Sequence, residues 1–199
     1  MSKTIVLASN NTGKLVEMQA LLAPLDYQLC TQSSLGVAEI GEPHPTFIEN
    51  CLTKARHAAR HTGLAALADD SGLCVPALHG APGVHSARYA GENAQPHRDQ
   101  RNNAHLINQL YGSIERGAYY YCVMVYLRHA DDPQPIMTEG IWHGMILDAP
   151  RGTQGFGYDP LFWLPELGKT AAELDLAEKN QRSHRGQALR RMIIRLGEE

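Results

Sequence analysis

Apolar residues fall in short runs separated by polar stretches rich in glycine and proline, and two spacings alternate along the chain. Thr4-Ile5-Val6-Leu7-Ala8 is compact and partly β-branched, which predicts a buried strand. Polar Ser9-Asn10-Asn11-Thr12-Gly13-Lys14 comes next, and Leu15, Met18, Leu21 and Leu22 then recur at helical spacing up to Pro24. Tyr27 to Thr31 predicts a second strand, and residues 35–45 read as irregular. Thr46 and Glu49 fit a capping box, with Phe47, Cys51, Ala55, Ala58 and Ala59 as the inward face of the next helix. Residues 64–68 predict a buried strand that ends at Asp69-Asp70-Ser71-Gly72, which is good turn chemistry.

Further on, residues 80–91 form a loop punctuated by glycine and proline. Residues 100–111 predict a helix with Ala104, Ile107, Leu110 and Tyr111 inward. Residues 118–128 give the strongest strand signal, and 136–146 a second strand interrupted at Gly140 or Gly144. The pair reads as an antiparallel hairpin, so the sheet is expected to be mixed. Residues 152–160 are a second glycine-rich loop, 161–164 a short strand, and Thr170 with Glu173 another capping box. Ser183 is a natural N-cap for a last helix carrying Ala188, Leu189, Met192, Ile193 and Leu196 inward.

Composition narrows the class. At 199 residues, 43% hydrophobic and 20% charged, the chain suits one globular domain with a real core. A net charge of -3 argues against a nucleic-acid backbone binder. The four cysteines form no Cys-x-x-Cys pair and sit in apolar stretches, so buried thiols are expected rather than a zinc or redox motif. No signal-peptide pattern precedes the first strand and no apolar run is long enough to span a bilayer, so the expected setting is cytoplasmic, with no membrane partner.

The candidate chemistry lies in the polar segments. Strand, polar glycine loop and helix at Ser9 to Lys14 is an arrangement that favours an anion, although Walker A spacing is absent. Asp69 and Asp70 are the kind of side chains Mg²⁺ recruits when waters and phosphate oxygens complete its shell. Lys54 is the helix charge expected to face a ligand, while Glu49, Arg56 and Arg60 should be solvated. The glycines of the 152–160 loop allow close backbone approach, Phe156 and Tyr158 suit stacking on a planar base, and Asp159 can accept a hydrogen bond. Each motif also has a plain structural reading as a turn, a cap or a hairpin connection.

Taken together, seven segments resemble the noncanonical purine nucleoside triphosphate pyrophosphatases (XTP/dITP diphosphatases, the inosine triphosphatase family). They are Ser9-Asn10-Asn11-Thr12-Gly13-Lys14, Thr46-Phe47-Ile48-Glu49-Asn50, Ala68-Asp69-Asp70-Ser71-Gly72-Leu73, Gly80-Ala81-Pro82-Gly83, Ser86-Ala87-Arg88-Tyr89, Gly155-Phe156-Gly157-Tyr158-Asp159-Pro160 and Ser183-His184-Arg185-Gly186. The resemblance implies an α/β fold: an elongated mixed sheet with flanking helices, in two lobes around a central cleft. It implies one domain over 1–199, usually in a homodimer. The implied reaction is Mg²⁺-dependent hydrolysis of ITP, dITP or XTP to the monophosphate and pyrophosphate.

Carried over by position, Asp70 is the proton acceptor and a metal ligand, supported at the metal by Glu42 and Asp69. Ser9, Asn10, Asn11, Thr12, Gly13 and Lys14 hold the triphosphate, assisted by Lys54. Ser71, Phe156, Gly157, Tyr158, Asp159, Lys179, His184 and Arg185 hold nucleotide, with Arg185 or a nearby backbone N–H facing the purine 6-oxygen. Two departures stand out: Pro43-His44-Pro45 succeeds Glu42 where a glycine is common, and Arg182 replaces an apolar residue before Ser183. The rival readings are a Maf-like pyrophosphatase for modified pyrimidine nucleotides and a nucleotide sensor without turnover.

Overall fold

In the computed structural model, residues 3–10, 15, 18–19, 22, 27–91 and 97–198 are described. Seven strands form one sheet: β1 (Lys3–Leu7), β2 (Tyr27–Thr31), β3 (Ala65–Cys74), β4 (Gly117–Leu127), β5 (Ile136–Ile146), β6 (Phe162–Leu164) and β7 (Lys169–Thr170). Their order is β2-β1-β3-β4-β5-β6-β7. β1 pairs in parallel with β2 and β3, whereas β5–β6 and β6–β7 are antiparallel, so the sheet is mixed as expected. Among the described residues four α-helices have full bounds: α1 (Phe47–Thr62), α2 (Arg98–Gln109), α3 (Leu176–Arg182) and α4 (His184–Gly197). Leu15, Met18, Gln19 and Leu22 are also helical, with Met18 and Leu22 fully buried, as their spacing predicts.

The chain divides into two compact units. The first comprises residues 1–70, 122–140 and 185–199. Its core joins Ile5, Leu7 and Leu67 of the sheet to Met18, Leu22, Leu189 and Met192 of the helices. Burying each large aliphatic side chain contributes ~1.5–3 kcal/mol, and this anchors α4 and hence its first turn. The second unit comprises Ser71–Tyr121 and Ile141–His184. Its core holds Leu106, Leu110, Tyr120, Trp142, Tyr158, Leu161 and Phe162.

Three expectations need correction. β3 does not end at the acids: it runs through Asp69-Asp70-Ser71-Gly72 to Cys74. Turn chemistry gives way because both carboxylates find cationic partners and the strand is paired in the sheet interior. β5 is continuous through Gly140 and Gly144. On α2 the inward residues are Asn102 and Leu106, with Ile107 partly buried against the core as expected and Leu110 just beyond the helix end, while Ala104 is exposed and Tyr111 is 91% exposed. Asn102 is tolerated inside because its side chain meets Ala90 N, Ser86 O and Ala87 O at 2.8–3.3 Å.

Three of the four cysteines are buried, Cys30 is half-buried, and all are free thiols. Among the described residues no helix is long and apolar enough to cross a membrane.

Candidate functional site

In the first unit the site begins with the start of α1. Thr46, extended at φ -120°, accepts Glu49 N at 3.3 Å and donates to Glu49 Oε2 at 2.5 Å. The helix then buries Asn50, Cys51, Ala55, Ala58 and Ala59 and ends at Gly63 in the left-handed region. That buried face fixes the azimuth of Lys54. Its Nζ lies 2.7 Å from Glu42 Oε1 and 2.9 Å from Asp70 Oδ1. Arg56 and Arg60 stay exposed, as expected.

Glu42 is positioned through its neighbour His44. Buried Asn50 accepts from His44 N at 2.9 Å and donates to His44 O at 3.0 Å, while Thr53 Oγ1 meets His44 Nε2 at 3.1 Å. The Pro43-His44-Pro45 departure is thereby pinned to α1, and Glu42 reaches Lys54. In the sequence Asn50 is visible only as a member of the Thr46–Asn50 motif; its clamp on the 42–45 segment is not.

Asp69 and Asp70 are neighbours on a strand, so their side chains leave on opposite faces. Their partners differ accordingly. Asp70 meets Lys54 on α1, whereas Asp69 Oδ2 accepts from Arg185 Nε on α4 at 3.3 Å. Arg185, expected near the base, is buried in this pair. Ser71 comes next on β3, half-buried.

Leu7 stands opposite Leu67 in the parallel β1–β3 register, and Ala8 N donates to Leu67 O at 2.9 Å. Ser9 follows two residues beyond the end of β1. Ser9 is half-buried, and the backbone N–H of Asn10 donates to the Glu39 carboxylate at 3.1 Å, an anionic acceptor. Asn11, Thr12, Gly13 and Lys14 lie outside the described residues.

Glu42, Asp69 and Asp70 face Lys54 and Arg185, which leaves one negative charge in excess among these five side chains. Burial raises the Asp70 pKa, Lys54 pulls it back, and Glu42 and Asp69 push it up again, to about 6. Burial alone would lower the Lys54 pKa, but Asp70, Asp69 and Glu42 more than reverse this and raise it.

Asp70 Oδ2 is buried with no hydrogen-bond partner among the described residues. No group of three His, Cys, Asp or Glu side chains forms a ready metal cage among them. Mg²⁺ does not require one, since it keeps several waters and uses one or two carboxylates beside substrate phosphates. An orphaned carboxylate oxygen, an adjacent carboxylate and surplus negative charge fit that ion.

In the second unit the 152–160 loop connects antiparallel neighbours β5 and β6. Asp159 is its buried hub. Oδ1 accepts from Tyr120 OH at 3.3 Å, and Oδ2 accepts from Phe156 N at 2.8 Å and from Lys179 Nζ. Lys179, from α3, also lies 4.8 Å from the Phe156 ring centroid. Gly155 is required here: at φ +74°, a Cβ would stand 2.1 Å from Asp159 Oδ2. The His184 ring stacks on Tyr120 with centroids 4.7 Å apart and planes 9° apart.

The two aromatic residues of the loop part company. Phe156 is 52% exposed, so its ring can stack on a base. Tyr158, expected to share that task, is 3% exposed; its ring is core and its hydroxyl donates to Ser86 O at 2.8 Å. Burial, with the Tyr89 and Asp99 charges, raises the Tyr158 pKa. Ser86 is likewise structural: its hydroxyl accepts from Leu73 N and donates to Gly83 O. Tyr120 is a residue that sequence reasoning missed, because a tyrosine inside an apolar strand carries no mark of function.

The Ham1 family model matches residues 5–194. The chain is 62% identical over 194 residues to a dITP/XTP pyrophosphatase of Ralstonia nicotianae, covering 98% of this chain and 96% of the relative. It is also 62% identical to one of Nitrosomonas europaea, covering 98% and 94%. Among solved structures, a HAM1 protein from Coxiella burnetii superposes with a TM-score of 0.94 at 47% identity, over 99% of this chain and 100% of that one.

Proposed function

Because the chain belongs to the Ham1 family, we propose that it is a pyrophosphatase for noncanonical purine nucleoside triphosphates. It converts dITP, XTP and ITP to the monophosphate and pyrophosphate, and so cleanses the nucleotide pool. The reading gains end-to-end support from relatives named dITP/XTP pyrophosphatases. The single structural observation that carries it is the buried Asp70 carboxylate, with one oxygen on Lys54 and the other without a partner among the described residues.

Asp70 and Glu42 would hold Mg²⁺, with Asp69 contributing charge from the other face of β3. Bound there, the ion would neutralise phosphate oxygens and act as a Lewis acid. Asp70 orients a water for in-line attack at the α-phosphorus and takes its proton. In the metal-free protein a pKa of about 6 makes the Asp70 carboxylate more basic than an ordinary aspartate, and a bound cation would lower it. Attack at that phosphorus accounts for pyrophosphate as the product.

Lys54 offsets triphosphate charge, and Ser9 to Lys14 form the phosphate loop. Phe156 stacks on the base, and Gly157, Asp159, Lys179, His184 and Ser71 complete the nucleotide contacts, with Tyr158 acting from the core. A donor at the purine 6-position, assigned to Arg185 or a nearby N–H, pairs with hypoxanthine and xanthine and is left unpaired by adenine. The working protein is a cytoplasmic homodimer, in keeping with its free thiols; light scattering after size exclusion tests the dimer.

The test of the activity is pyrophosphate release from dITP, XTP, ITP, ATP and GTP, with Mg²⁺ and with EDTA. Fast, EDTA-sensitive release from the first three and little from the others is expected. No release from any of them would overturn the assignment.

A further inference from the structure

Helix α2 grips the backbone of the 152–160 loop at one residue. Asp99 and Asn103 are four positions apart, so they project one turn apart on the same face. Asp99 Oδ2 accepts from Gly157 N at 2.7 Å, and Asn103 Nδ2 donates to Gly157 O at 3.1 Å. Both polar groups of one residue are thus held by one helix. The other Asp99 oxygen lies 3.7 Å from Arg98 Nε, with both side chains half-exposed.

Asn103 Oδ1 is buried with no hydrogen-bond partner among the described residues. Turning the amide over would set that oxygen against the Gly157 carbonyl, oxygen to oxygen. With its donor on Gly157, the side chain keeps an acceptor that has no partner among the described residues. Such a cost is expected where a position must be fixed. Gly157 itself sits at φ +61°, and its neighbour Phe156 is held on its other side by the bond from Phe156 N to Asp159 Oδ2. The half-exposed Phe156 ring thus stands on a backbone fixed at both ends.

We propose that Asp99 and Asn103 are positioning residues for the purine base: the α2 clamp on Gly157 sets where the Phe156 ring stands, and thereby sets substrate affinity. Neither residue touches nucleotide. The inference rests on the proposed stacking of Phe156 on the base. The sequence hid it, because a polar pair four apart on a helix normally marks a solvated face.

The test is steady-state dITP hydrolysis by the full chain, with melting temperature recorded for every variant. Asn103→Asp keeps the shape but replaces the donor by an acceptor facing the Gly157 carbonyl; KM should rise about tenfold with kcat within about twofold. Asp99→Ala should raise KM about fivefold, and Asp99→Asn, which keeps an acceptor oxygen, should return it to within about twofold of the parent. Phe156→Ala serves as the control for base stacking and should also raise KM.

If Phe156→Ala raises KM while Asn103→Asp and Asp99→Ala do not, the clamp is wrong and base stacking stands. If none of the three moves KM, base stacking falls and takes the clamp with it. A lower melting temperature with unchanged KM in the α2 variants would make the contacts merely structural and overturn the proposal.

Discussion

Each unit contains a buried aspartate bonded to a lysine, and the two are built to opposite ends. Asp159 is saturated: Tyr120, the Phe156 N–H and Lys179 occupy its two oxygens. Asp70 shares Lys54 with Glu42, keeps Oδ2 without a partner among the described residues, and belongs to a set with one surplus negative charge. A satisfied buried carboxylate fixes geometry, here the glycine loop and Phe156. An unsatisfied one stores demand for a cation or a proton, which is what catalysis at a phosphate requires. The same two residue types thus give recognition in one place and chemistry in the other.

The sharpest way to break this contrast is to neutralise each acid in turn. Asp70→Asn should fold and lose turnover of dITP by about 10²–10⁴-fold, the usual contribution of a general base. Asp159→Asn should mainly raise KM, because it loosens the loop and Lys179 without removing the base. Steady-state kinetics of the two variants separate the roles; equal losses of kcat would erase the distinction.

Removing each lysine comes next. Lys54→Met leaves two carboxylates facing each other in a half-buried setting, so metal-free urea unfolding at neutral pH should show a loss of about 3 kcal/mol. Lys179→Met leaves Asp159 with two remaining donors and should cost about 1–2 kcal/mol.

Gly155→Ala probes the saturated side through sterics. The added methyl meets Asp159 Oδ2 at 2.1 Å on a left-handed backbone, so the loop must move. Stability should fall by about 1–3 kcal/mol and KM for dITP should rise, with kcat much less affected.

The smallest effect is in pH. The folded protein holds the Asp70 proton more tightly than the unfolded chain, since the pKa rises to about 6 from an ordinary carboxylate value. The stability from this group is therefore full below the unfolded pKa and is lost as pH rises through about 6. In metal-free urea melts, Asp70→Asn should change less than the parent between about pH 4.5 and about pH 7.5.

Much of the fold is legible in the chain. The β-branched run of β1, the cap at Thr46, the small-residue face of α1 and the last amphipathic helix all come from local rules that tertiary structure did not override. The site motifs are legible as a set. What failed depended on partners distant in sequence. Asp69 and Asp70 read as a turn because Arg185 and Lys54, which let them stay in a strand, lie 116 and 16 residues away. Asn102 is missing from the expected inward face because the Ser86, Ala87 and Ala90 backbone groups it satisfies belong to another segment. Tyr158 read as a stacking residue because nothing local reveals that its ring packs in a core.

The central claim is that the Asp70 set has the charge to take a divalent cation and the Asp159 set does not. Mn²⁺, which favours the same oxygen ligands as Mg²⁺, can be titrated into the protein while the free ion is read by its electron paramagnetic resonance signal. The parent and Asp159→Asn are predicted to bind with similar affinity, and Asp70→Asn at least about tenfold more weakly, one charged ligand being lost. Undiminished binding by Asp70→Asn, or loss of binding in Asp159→Asn alone, would contradict the claim.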